Sequence, residues 1–73
     1  MEHLIDARGL RCPLPLLRAR AALAAVAAQD TLVVLATDRE APIDLAALAA
    51  DTGRAFAQSS EGGEWRLVLS PQQ

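Results

Sequence analysis

The sequence predicts an α+β fold: a two-layer α/β sandwich of order β-α-β-α-β-β, with two helices on one face of a mixed four-stranded sheet. Three observations lead there. Leu32-Val33-Val34-Leu35 is a continuous apolar run of strand length with β-branched residues at its centre, the pattern of an interior strand covered on both faces. Two segments of helical period each open on a proline, Pro13 and Pro42, a residue tolerated only in the first turn of a helix. Gly62-Gly63 separates two strand-like segments and reads as a tight hairpin turn.

Taken in order, His3 to Asp6 is a short first strand with Leu4 and Ile5 as its apolar content. Ala7 to Arg11 is a loop in which Gly9 suits a turn. The first helix starts near Pro13 and runs to Ala27 or Ala28, with Leu16, Ala19, Leu23 and Val26 as its core face. Thr31 to Ala36 is the second strand, and Thr37-Asp38 supplies capping groups for the second helix. That helix spans Ala41 to Thr52, with Gly53 as the natural residue just past its end. Arg54 to Ser60 is a third strand. Glu64 to Ser70 is a fourth, in which Trp65, Leu67 and Leu69 alternate with polar residues, so one face is buried and one wet. Pro71-Gln72-Gln73 is a frayed tail. The first β-α-β unit calls for parallel strands and the last two strands for an antiparallel hairpin. No helix remains for the second face of the sheet. If Val33 and Leu35, or Leu32 and Val34, point that way, a small apolar patch of the kind that marks contact sites lies open there.

At 73 residues the chain is read as one domain, residues 1–73, with a thin core. Its net charge of −2 argues against nucleic acid as a direct partner, because phosphate binding needs a basic footprint. One Phe and one Trp, far apart, make no base-stacking platform. Neither a signal peptide nor a membrane span is visible, and the single free cysteine fits a reducing compartment, so the expected location is cytoplasmic with no membrane partner. No group of residues has metal-ligand spacing, and His3, the sole histidine, reads as an ordinary strand residue.

Chemistry concentrates at Gly9-Leu10-Arg11-Cys12-Pro13-Leu14-Pro15. Pro13 reads as the first helical residue, which puts Cys12 at the N-cap and Pro15 at the third position. There the positive end of the helix dipole favours a thiolate, so the Cys12 pKa is expected to fall moderately, with Arg8 and Arg11 adding to the effect. Arg8, Arg11, Arg18 and Arg20 lie close in sequence around Cys12, either as a docking patch or as solvated helix arginines. Asp6 either caps the turn or orients the loop. On these residues alone Cys12 has two readings, a reactive thiol or a small buried hydrophobe.

The stretch Leu4-Ile5-Asp6-Ala7-Arg8-Gly9-Leu10-Arg11-Cys12-Pro13-Leu14-Pro15 resembles the signature of the TusA (SirA-like) sulfur-carrier family, in which a strand leads through a glycine loop to Cys-Pro-x-Pro at a helix start. The resemblance continues at Leu32 to Asp38, at Asp44-Leu45 and at Thr52-Gly53, and so covers nearly the whole chain. Departures fall at Ala28-Gln29 and Arg39-Glu40, where the family often has Pro-Gly, and at Ala46, where proline is common. The resemblance implies a carrier rather than a self-contained enzyme. Cys12 would take sulfane sulfur as a persulfide from a donor such as a cysteine desulfurase or a rhodanese-like protein, and pass it to an acceptor thiol, in tRNA thiolation or in dissimilatory sulfur oxidation. Gly9, Arg11, Pro13 and Pro15 would support the motif, with no cofactor and no metal. The alternative is a binding or regulatory module that uses the open sheet face.

Overall fold

The computed structural model describes residues 1–71; Gln72 and Gln73, expected to form part of a frayed tail, lie outside the described residues. The elements are β1 (Glu2–Ala7), α1 (Leu14–Leu23), β2 (Thr31–Ala36), α2 (Ala41–Thr52), β3 (Ala55–Glu61) and β4 (Glu64–Ser70). The sheet order is β1-β2-β4-β3, with β1 parallel to β2 and the other two pairs antiparallel. The expected α+β sandwich is therefore present. β2 is an interior strand, as its unbroken apolar run requires.

Alternation along the strands divides the sheet into two faces. Leu32, Val34 and Ala36 of β2 join Leu67 and Leu69 of β4, all fully buried, against Ala19 of α1 and Leu45, Leu48 and Ala49 of α2. Trp65 and Phe56 pack at the margin of this core. Burial of each large side chain contributes about 1.5–3 kcal/mol. Val33 alternates to the opposite face, yet it too is fully buried, flanked in register by Leu4 and Val68. The open face is thus apolar mainly at Leu4, which is 63% exposed.

Two element ends differ from expectation. α1 stops at Leu23, so Val26 lies beyond the helix rather than on its core face. The alanines of this stretch favour continuation, but the chain must return to pair β2 with β1. Two tight turns, Ala25 N–H to Ala22 O and Val26 N–H to Leu23 O, unwind it. The guanidinium of Arg54 then donates to the carbonyls of Ala27 and Asp30 and ties the return loop down. The third strand is shifted by one, to Ala55–Glu61, because Arg54 belongs to the end of α2. Arg54 N–H donates to Ala49 O and Gly53 N–H to Ala50 O, with Gly53 at φ +72°, the Schellman closure that a left-handed glycine permits.

Candidate functional site

The site is assembled by two loops at one end of the sheet. After β1 the chain turns at Gly9, whose φ of +83° is in the left-handed region. Gly9 N–H donates to Thr37 Oγ1 at 2.9 Å, tying the β1–α1 loop to the β2–α2 loop. Thr37 is thus spent on this tie, while the Asp38 carboxylate accepts Glu40 N–H at 3.0 Å and shapes the approach to α2. The result places Cys12 beside the first turn of α2.

Cys12 is exposed and free. Its thiol donates to Asp44 Oδ2 at 3.3 Å. Its sulfur and one carboxylate oxygen each from Glu40 and Asp44 lie within 4.8 Å of one another. The two acids sit four residues apart at the start of α2, hence on one helix face. As a cation site this trio would be incomplete, one ligand short of a tetrahedral set and mixed between sulfur and oxygen.

The helix start is displaced by one residue from the sequence reading. α1 begins at Leu14, Pro13 is its cap and Pro15 its second residue, so Cys12 precedes the cap. The reason is a turn across the motif: Leu14 N–H donates to Arg11 O at 2.8 Å, and the first helical bond runs from Leu17 N–H to Pro13 O at 3.0 Å. The Cys12–Pro13 peptide bond is cis. Leu14 N–H is engaged by Arg11 O, and Pro13 and Pro15 have no N–H to offer the sulfur.

This geometry also reverses the expected electrostatics. The Cys12 thiol is pushed up to about 11 rather than down. Its hydrogen bond to the Asp44 carboxylate is the largest cause, followed by desolvation and by the negative charges of Asp44 and Glu40, all of which disfavour a thiolate. Arg8 does not offset them. Its guanidinium is held by Asp6 at 2.8 Å and by Glu64 at 3.3 Å. The Asp6 carboxylate also accepts Arg8 N–H at 3.1 Å, so it closes the turn as an Asx acceptor. Arg11, Arg18 and Arg20 are exposed and make no side-chain hydrogen bond or ion pair among the described residues. The four arginines thus do not act as one group around the thiol.

The other motif residues have local roles. Gly9 permits the turn, Pro13 caps α1, and Pro15 is fully buried beneath it. Arg11 contributes its carbonyl to the turn. Leu14, Leu17 and Ile43, at 47%, 50% and 70% exposure, leave apolar surface on the first turns of α1 and α2. A groove of about 380 Å³ beside Leu35, Ser59, Trp65 and Arg66 includes none of the Cys12 cluster. His3 pairs with Asp30 at 3.0 Å, apart from the site. Sequence reasoning missed Glu40 and Asp44 as site residues. The available signal was two carboxylates at i and i+4 on a helix N-terminal turn.

Comparison with known proteins agrees with the fold and motif. The family profile described as sulfurtransferase TusA matches residues 3–70. A candidate sulfur carrier protein of Neisseria meningitidis serogroup A is 49% identical over 66 residues, covering 89% of each chain. The sulfur carrier protein TusA of Allochromatium vinosum is 41% identical over 66 residues, covering 89% of this chain and 87% of its own. The crystal structure of the SirA-like protein of Desulfitobacterium hafniense superposes with a TM-score of 0.86 at 25% identity, over 100% of both chains. With nearly its full length matched by profile, by sequence and by fold, this chain belongs to the TusA (SirA-like) sulfurtransferase family.

Proposed function

We propose that this protein is a sulfur carrier and that Cys12 is the atom-bearing residue, holding sulfane sulfur as a persulfide between a donor and an acceptor protein. The observation that supports it most directly is the exposed, free Cys12 sulfur at the start of α1, within a chain matched to the TusA family over residues 3–70. In loading, the Cys12 thiolate attacks the outer sulfur of a donor persulfide. A new bond forms to Sγ, the donor's sulfur–sulfur bond breaks, and its electron pair leaves on the donor thiolate, which takes up the proton that Cys12 released. In unloading, an acceptor thiolate attacks the outer sulfur and Cys12 departs as the thiolate. Neither step is a net oxidation, so neither needs a cofactor or a metal.

The donor is a persulfide-forming protein, a cysteine desulfurase or a rhodanese-like enzyme, and the acceptor is a relay protein with its own thiol, in the cytoplasm. Leu14, Leu17 and Ile43 offer such proteins an apolar contact around the thiol. The sulfur's destination, tRNA thiolation or dissimilatory sulfur oxidation, uses the same Cys12 step. Mass spectrometry tests the reading after incubation with a desulfurase and cysteine, or with a rhodanese and thiosulfate. Wild type gains the mass of one sulfur atom and Cys12→Ser gains none. Absence of any gain with both donors would leave a binding module on this scaffold instead.

A further inference from the structure

The transfer steps above use neither Glu40 nor Asp44, yet both carboxylates gather at the reacting sulfur. The Cys12 thiol is a donor to Asp44 Oδ2 at 3.3 Å, and a Glu40 oxygen completes a trio within 4.8 Å. A thiol in this position keeps its proton. The other charged groups nearby do not cancel the pair. Arg8 is committed to Asp6 and Glu64. Asp38, on the loop before α2, adds a further negative charge and accepts Glu40 N–H. Arg11 and Arg39, next in sequence to Cys12 and Glu40, make no side-chain hydrogen bond or ion pair among the described residues. The first turn of α1, from Leu14 to Leu17, carries no titratable side chain.

We propose that Glu40 and Asp44 keep Cys12 dormant in the free carrier, and that a protein partner releases it by setting a cationic side chain against these two carboxylates. The idea rests on Cys12 being the sulfur-bearing residue, and it adds a chemical class to the partner: a docking surface with Arg or Lys at the point that meets the first turn of α2. A cation placed there removes the negative field and draws Asp44 off the thiol, so the nucleophile forms only in the docked complex. The free carrier is correspondingly protected from small electrophiles and oxidants, which react with thiolate.

The size of the restraint is set by the local charges. With the thiol moved from 9.0 to about 11, the thiolate fraction at neutral pH drops about a hundredfold. The more basic thiolate is intrinsically more nucleophilic, which regains about tenfold and leaves a net slowing of about tenfold.

The test compares wild type with Glu40→Gln, Asp44→Asn and the double variant. Each is labelled at Cys12 by neutral iodoacetamide and by paired cationic and anionic methanethiosulfonates, whose attacked sulfur joins Sγ as a sulfinate leaves. The double variant should react with iodoacetamide about tenfold faster than wild type at pH 7.4. Wild type should favour the cationic over the anionic reagent by at least about tenfold more than an unfolded peptide of the same motif does, and the double variant should lose that preference. Asp44→Glu should restore both behaviours. With a desulfurase and cysteine as donor, the double variant should load more slowly than wild type when donor is limiting, because the partner's cation has lost the carboxylates it meets. An ordinary iodoacetamide rate in wild type, no charge preference, or donor loading accelerated as much as labelling would each overturn the proposal. Labelling needs no sulfur transfer, so a failure of the carrier reading itself appears separately, as no sulfur gained by wild type from any donor.

Discussion

Leu45 and Ile43 flank Asp44 on α2 and provide a measure of how the core supports the site. Leu45 is fully buried against the sheet, whereas Ile43 is 70% exposed. Truncating Leu45 to alanine removes a buried isobutyl group and leaves a cavity under the turn that carries Asp44. That costs about 2–5 kcal/mol, the transfer of the lost atoms plus the void left behind. A domain of this length has a total stability of about 4–11 kcal/mol. Leu45→Ala therefore removes roughly a fifth of it at the least. In urea unfolding, with a slope near 1 kcal/mol/M for so small a domain, the midpoint should fall by about 2 M or more. Ile43→Ala makes the same kind of change two residues away on the exposed side, and should stay within about 0.5 kcal/mol of wild type. Equal losses for the two variants, or a loss below about 1 kcal/mol for Leu45→Ala, would refute the assignment of α2's inner face.

Two other outcomes are expected of the loop that carries Cys12. Gly9→Ala should cost about 1–2 kcal/mol in thermal or urea unfolding, because a Cβ there meets open space but the backbone is held at φ +83°, so the penalty is conformational alone. Asp6 is held down to about 2 by the side chain and backbone N–H of Arg8, so its folded-state pKa lies below its unfolded value of 3.8. The stability it contributes is present above pH 3.8 and is lost as pH falls through about 2; carboxyl NMR titration should show Asp6 protonating below the ordinary aspartate range, and Arg8→Met should return it towards its ordinary value.

Much of the fold was legible because its signals are local and periodic. The Leu32–Leu35 run, the alternation of Trp65, Leu67 and Leu69, and the prolines at helix starts each constrain a few consecutive residues, and the elements appear where expected, with the start of α1 one residue later than Pro13 alone implied. The end of α1 did not follow from local preference. An alanine-rich stretch favours helix, yet it stops at Leu23, where two tight turns lead into a return loop whose Ala27 and Asp30 carbonyls are held by Arg54, just past the end of α2. The sheet order, with β4 between β2 and β3, was likewise unreadable, since hairpin and crossover signals state which strands connect and not which strand becomes central.

The candidate site divides in the same way. Sequence alone singled out Cys12 and the stiff proline-flanked turn around it, because the residue types and their spacing lie within one short segment. It also supplied an electrostatic expectation, a thiol favoured as anion by its own helix. The folded chain decided the opposite. Side-chain charge acts through space, and the charges that raise the Cys12 thiol come from Asp44, thirty-two positions further along, and from Glu40 on the same turn. Those carboxylates reach the sulfur because Gly9 N–H binds Thr37 and draws the two loops together, whereas Arg8, much closer in sequence, turns away to Asp6 and Glu64. Which residue bears the thiol was thus written in the sequence. Whether that thiol rests protonated depended on distances that only the packed loops create.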